Sequence, residues 1–240
     1  MNSLIANEDA ANNMLILPTI TTITGSSWLD KLAEVKKFKL EEICLFLTCL
    51  NREQREEAFR LLKETNVKRI PFVHLRSDME LQELDYLAEH YQTKVFNIHT
   101  QREFPLLSDC GTYKKSLCIE NTYEPLDESE VEEFGGVCLD LSHLENDRIL
   151  RPDVYRANVG VLEKYPPKCS HISAVKKEKF IDEESHVRIT NHYLKDLSEL
   201  DYLAKYPLAY FGIVSALELE NTIEEQLRAK EYISTLIHKK

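Results

Sequence analysis

Ser116-Leu117-Cys118-Ile119-Glu120 and, beyond an acidic stretch and the turn Gly135-Gly136, Val137-Cys138-Leu139-Asp140 are the segments that decide the fold. Each is a short apolar run that closes on a carboxylate and passes into a turn or a helix-like segment. Runs this short, without polar alternation and bounded by turn residues, read as strands buried on both faces, as in a parallel sheet covered by helices. The same rule returns on either side: Phe72-Val73-His74, Val95-Phe96-Asn97-Ile98-His99, Cys169-Ser170-His171 and Ala216-Leu217-Glu218. Two further strands are expected, over Met14 to Thr24, which runs into the helix-capping turn Gly25-Ser26-Ser27, and over Glu42 to Leu50.

Between these runs lie segments of helical character. Trp28 to Phe38, Arg52 to Thr65, Met79 to Tyr91, Asp127 to Phe134, Arg148 to about Leu162, Ser198 to Tyr206 and Thr222 to Ile237 are expected as helices, whereas Leu106 to Tyr113 is irregular. About eight strands and about eight helices in strict alternation predict a (β/α)8 TIM barrel, because each crossover must return the chain to the same end of a parallel sheet. The barrel is expected as a single domain over 14–240, preceded by a flexible tail at 1–13. An open doubly wound sheet is the other arrangement of such units, but no Gly-rich phosphate turn follows the first strand and the chain has only 6 glycines.

Composition narrows the function. Lys and Arg number 30 against 41 Asp and Glu, a formal charge of −11, which opposes broad contact with a nucleic-acid phosphate backbone. Met1 to Asn13 lacks the charged start and apolar core of a signal peptide, and no apolar run approaches the roughly 20 residues needed to cross a bilayer. The cysteines Cys44, Cys49, Cys110, Cys118, Cys138 and Cys169 form no close pair of the kind that binds zinc or cycles redox. A reducing cytoplasm is the expected setting and a small molecule the expected partner.

In an eight-fold barrel the strand C-termini form the functional rim. Glu120, Asp140, His171 and Glu218 would there supply three carboxylates and one imidazole, a set suited to manganese, magnesium or cobalt, and also to zinc. A strand-end carboxylate can equally be a helix N-cap. Converging carboxylates, however, repel one another unless a cation neutralises them. His74 and His99 on neighbouring strands would reach a second ion or the substrate. Val175 to Leu197 reads as a long functional loop carrying His192, with His186 a weaker candidate. His90 and His238 read as solvated or capping groups.

Ile119-Glu120-Asn121-Thr122, Leu139-Asp140-Leu141-Ser142-His143, His171-Ile172-Ser173 and Leu217-Glu218-Leu219-Glu220-Asn221, in this order, resemble the xylose isomerase-like superfamily of TIM barrels, which includes ketose 3-epimerases, other sugar isomerases and endonuclease IV. The resemblance spans most of the chain from about Met14. Similarity to the epimerases implies that Glu120, Asp140, His171 and Glu218 bind one metal, that Glu120 and Glu218 are also acid and base, and that His143 contacts substrate. It implies a metal-dependent isomerase or epimerase of sugars or related hydroxy-carbonyl compounds.

Similarity to endonuclease IV implies instead a phosphodiesterase, with His74, His99, Glu120, Asp140, His143, His171, His192 and Glu218 matching ligands of a three-zinc site. Thr190 stands where that family has an Asp, which puts the third metal in doubt. The epimerase pattern has its own departure, since Val175-Lys176-Lys177 replaces a substrate-binding arginine. Lys176, Lys177 and Arg188 are candidate contacts for an anionic substrate, with Arg76 beside them, although solvated surface charge is the commoner role of such residues. A barrel that binds a metal or ligand without turnover is the third alternative.

Overall fold

A computed structural model describes residues 14–22, 27–182 and 185–237. The expected tail at 1–13, the Gly25-Ser26 turn and His238 lie outside the described residues. In chain order the strands are β1 (Leu15–Leu17), β2 (Thr19–Ile20), β3 (Cys44–Phe46), β4 (Phe72–His74), β5 (Val95–Ile98), β6 (Leu117–Glu120), β7 (Val137–Asp140), β8 (Cys169–Ile172), β9 (Ala174–Ile181), β10 (Val187–Asn191) and β11 (Val214–Leu217). The α-helices are α1 (Trp28–Lys37), α2 (Arg52–Leu62), α3 (Leu81–Tyr91), α4 (Glu128–Glu133), α5 (Leu141–Leu150), α6 (Pro152–Lys164) and α7 (Ile223–Ile237).

Nine strands form one parallel sheet in the order β1-β11-β8-β7-β6-β5-β4-β3-β2. Its two ends, β1 and β2, are halves of one segment interrupted at Pro18, so the nine strands fill eight positions around a closed barrel. The first strand is therefore not the continuous run expected from Met14 to Thr24. Pro18 has no N–H to give a ladder, while its carbonyl accepts from the Cys44 amide at 2.9 Å. Gln226 of α7 repairs the break: its Oε1 accepts from the Thr19 amide at 2.7 Å, and its Nε2 donates to the Thr19 carbonyl at 3.1 Å.

The strict alternation of strand and helix needs three corrections. No α-helix lies between β5 and β6; the link ends in a 3-10 turn at Gly111–Ser116, in keeping with its irregular sequence. Two helices, α5 and α6, follow β7 where one from Arg148 was expected, because the Asp140 carboxylate caps a helix at once and Pro152 starts the next. Val175 to Leu197 is an antiparallel hairpin of β9 and β10 rather than an open loop, and the helix expected at Ser198 to Tyr206 is a 3-10 helix, Leu197–Lys205.

Alternation along each strand organises the interior. Leu17, Cys44, Phe46, Phe72, Val95, Cys118, Cys138, Cys169, Val214 and Ala216 pack together in one cluster, separate from the larger apolar layer that includes residues of the helices. Two residues further along their strands stand Glu120 after Cys118, Asp140 after Cys138, His171 after Cys169, His74 after Phe72, and Glu218 after Ala216. The same two-residue period that fills the barrel with apolar side chains thus puts a layer of acids and imidazoles above them. Among the described residues no helix is long and apolar enough to cross a membrane.

Gly212 holds the turn into β11 at φ 65°, ψ −159°, and a Cβ there would stand 2.5 Å from the backbone carbonyl carbon and oxygen of Lys168. Neither the backbone conformation nor the space admits a side chain. Gly212→Ala is expected to cost about 2–4 kcal/mol, read as a lower urea midpoint at unchanged slope.

Candidate functional site

Glu120, Asp140, His171 and Glu218 meet as expected, with one ligand atom from each within 4.8 Å of all the others. The four are 2 %, 0 %, 0 % and 8 % exposed, so water cannot neutralise the charge that they gather. His171 Nδ1 lies 3.2 Å from Glu120 Oε1 and 3.6 Å from Glu218 Oε2. A second group joins the first through Glu120. The ligand atoms of His74, His99 and Glu120 also lie within 4.8 Å of one another, with both imidazole Nε2 atoms on the Oε2 side of Glu120 at 3.7 and 3.9 Å.

Asp140 divides its work between its two oxygens. Oδ1 caps α5, accepting from the His143 amide at 2.8 Å and the Ser142 hydroxyl at 2.7 Å, whereas the buried Oδ2 accepts no hydrogen bond. The N-cap role and the ligand role are thus both open to this one carboxylate. Asn121 fixes its backbone: the side-chain oxygen accepts from the Asp140 amide at 2.7 Å and the side-chain nitrogen donates to the Asp140 carbonyl at 3.0 Å. Asn97 donates to Glu120 Oε2 at 2.6 Å.

Neither Asn97 nor Asn121 was singled out in the sequence. Asn97 could have been found from the period of two, since it precedes His99 on the inward face of β5.

Both ring nitrogens of His74 and of His171 are likewise buried without a hydrogen bond. An unsatisfied buried polar group costs about 1–3 kcal/mol, and one nitrogen of each imidazole lies within 4.8 Å of a ligand atom of Glu218. Nitrogen and oxygen ligand atoms this close together, yet without hydrogen bonds to one another, form a donor set that suits a cation. The residues fit a divalent ion held by Glu120, Asp140, His171 and Glu218, and the His74, His99 and Glu120 group offers three donors to a second.

Electrostatics agree with this arrangement. Burial chiefly raises the Glu120 carboxyl to about 8, with Asp140 and Glu103 adding to the effect and His99 and the Asn97 hydrogen bond opposing it. Burial and the neighbouring Glu120 and Asp140 push Glu218 well above the carboxylate range. Burial lowers His171 to about 4, His143 to about 3, and His74 well below the ordinary imidazole value. Without a cation the pocket is therefore driven towards neutral acids and neutral imidazoles, and neutral imidazole is the metal-binding form.

The remaining expected residues fall around this centre. His143 Nε2 is 3.6 Å from Asp140 Oδ2, and His192 Nε2 is 3.7 Å from Glu218 Oε1. Among the described residues no three-donor group includes His143 or His192, and Thr190 sits in β10 without adding a carboxylate. Lys176 is committed elsewhere, bound to Glu199 Oε2 at 2.7 Å and the Tyr193 carbonyl at 2.6 Å. Lys177 is exposed on the hairpin. Arg188 pairs with Asp182 and lies over the Tyr123 ring, which also stacks on His186. Arg76 pairs with Asp78 at 3.2 Å and donates to the Leu50 carbonyl at 3.0 Å.

No protein-family description and no curated protein matches the sequence. Among solved structures, the chain is similar to a xylose isomerase-like TIM barrel protein from Mycobacterium smegmatis in complex with magnesium, at 13% identity and a TM-score of 0.48 over 95% of this chain and 98% of that one. It is also similar to a xylose isomerase domain protein from Planctomyces limnophilus, at 10% identity and a TM-score of 0.47 over 95% and 97% of the two chains. A phosphoribosyl anthranilate isomerase from Thermus thermophilus matches at 11% identity and a TM-score of 0.44, over 93% of this chain and 100% of that one.

Proposed function

We propose that this barrel is a divalent-metal-dependent isomerase or epimerase that relocates a proton on a sugar or related hydroxy-carbonyl compound. The observation that carries the reading is the pair Glu120 and Glu218, two buried carboxyls that both approach His171 Nδ1, at 3.2 and 3.6 Å, and both have raised proton affinity before an ion binds. A divalent ion bound at Glu120, Asp140, His171 and Glu218 would polarise a carbonyl and its adjacent hydroxyl and so acidify the carbon-bound hydrogen between them.

The chain's own groups then do the proton work. Glu120 can take a proton or give one. Asn97, by holding Glu120 Oε2, leaves Oε1 as the oxygen beside His171 Nδ1. Glu218 is the partner of Glu120 beside the same ring nitrogen, so a proton removed by one carboxylate can be returned by the other, and the product depends on the carbon and the face that receive it. His143 and His192 stand beside the acids, where neutral imidazoles can orient substrate hydroxyls.

Heavy water tests this directly. Protein incubated with ketoses, their phosphates and sugar acids in deuterium oxide should place deuterium on carbon in one substrate class, and a complete screen with no exchange would sink the proposal.

One observation favours a second reading, a phosphodiesterase. His74 and His99 share Glu120 with the first group, and two ions bridged by a carboxylate can hold the attacking and leaving oxygens of a phosphodiester. Under that reading zinc-replete protein holds two ions per chain and His99→Ala holds one. Under the isomerase reading the count is one in both.

A further inference from the structure

Thiols form part of the floor of the acid layer. Cys138 precedes Asp140 by two residues on β7, and in the sheet register it stands beside Glu120 of β6 and Cys169 of β8. It is wholly buried and free, as are Cys118 and Cys169, which pack in the same inner cluster. The Cys138 sulfur lies within 4.8 Å of ligand atoms of both Glu120 and His171, a spacing compatible with donors on one ion. His171, wholly buried, has both ring nitrogens unhydrogen-bonded at this place, and the buried Asp140 Oδ2 above it is also without a hydrogen bond.

An oxygen-seeking ion such as magnesium has no use for a sulfur donor, whereas zinc, cobalt and cadmium accept one readily. An apolar side chain would fill this inner position without presenting a donor atom to the site, as Phe72 and Ala216 do on β4 and β11.

We propose that Cys138 is a thiolate ligand of the ion held by Glu120 and His171, and that the centre therefore selects a thiophilic divalent cation over magnesium. Coordination exchanges the S–H bond for a sulfur–metal bond and releases one proton to solvent, with no change of oxidation state. The proposal rests on the metal reading of the site but is separable from it, since an ion held by the carboxylates and His171 alone would satisfy that reading and not this one.

Cobalt(II) is the probe. Titrated into metal-free protein, it should bind and give, besides its weak visible bands, an intense near-ultraviolet thiolate-to-cobalt charge-transfer band. X-ray absorption at the cobalt edge should find one sulfur at about 2.3 Å, as for a zinc thiolate. Cys138→Ser should lose the band and bind cadmium at least about tenfold more weakly, with magnesium affinity nearly unchanged. Cys118→Ser should keep the band.

Cobalt bound with no charge-transfer band and no sulfur neighbour would overturn the thiolate ligand and leave the carboxylate and imidazole site standing. A band that persists in folded Cys138→Ser would also overturn it. No cobalt bound at all would overturn both readings. The X-ray measurement uses the native chain and decides the question even if Cys138→Ser does not fold.

Discussion

Metal-free protein is expected to unfold at a temperature that falls by about 4–8 °C between pH 6.5 and pH 8, and saturating divalent ion is expected to remove the fall. The cause is Glu120, whose carboxyl is raised from 4.5 to about 8 in the folded chain. Across this window the folded state holds a proton that the unfolded state has released, so stability declines as pH rises. The span of 1.5 pH units is worth about 2 kcal/mol from this group alone, and a domain of this size shifts by about 2–4 °C per kcal/mol. Glu218, raised for the same reason, acts in the same direction.

The limits of the window follow from the other shifted groups. Up to about pH 7 the lowered histidines, His171 and His192 at about 4, His143 at about 3 and His74 well below its ordinary value, make stability rise with pH and offset part of the effect of the carboxyls. Above pH 8 the buried Lys31, lowered to about 8, also makes stability rise with pH. A bound ion keeps Glu120 and Glu218 ionised in the folded chain as they are in the unfolded one, and so removes the slope. At a thousandfold excess over its dissociation constant it adds about 4 kcal/mol. Thermal scans at three pH values, with chelator and with ion, test both halves.

The second large effect is on turnover. Glu218→Gln keeps an oxygen that can face the ion but loses the group that carries a proton, so solvent exchange at carbon should fall by about 10²–10⁴. The ion should stay bound, which separates loss of chemistry from loss of the centre. Asn97→Ala is a milder companion. It removes the 2.6 Å donor that steadies Glu120 Oε2 and should lower the exchange rate by less than Glu218→Gln does. Steady-state exchange rates across pH for both variants would show the difference, and unchanged exchange in Glu218→Gln would remove it from the mechanism.

Strands with punctuation on both sides were legible in the sequence to the residue. Val137–Asp140 is bounded by Gly135-Gly136 before it and closes on a carboxylate, so neither end could slide. The convergence of Glu120, Asp140, His171 and Glu218 followed from strand ends alone, since a parallel barrel brings every such end to one rim. What escaped was structure made by tertiary contacts. The β9–β10 hairpin carries charges at Lys176, Lys177, Glu178 and Lys179, and lies outside the barrel with only part of one face covered, so its apolar alternation is weak. Ile189 is tied down by the distant Asn146 side chain at 3.1 Å, a contact that no local pattern announces.

Two other misses have simpler causes. Helical spacing at Leu197–Lys205 does not distinguish a 3-10 helix from an α-helix over so few turns. Reading Asp140 as a strand terminus hid that the same residue starts α5, because a carboxylate has two oxygens and each found its own task.

The central claim is that the acids and imidazoles at the rim form a metal centre. Elemental analysis of protein purified without chelator tests it most directly, run beside Asp140→Ala and His171→Ala. At least one tightly held divalent ion per native chain, lost in both variants while their circular dichroism stays native-like, is the predicted result. Native protein that holds no ion even after incubation with manganese, cobalt and zinc, or variants that keep the full complement, would contradict it.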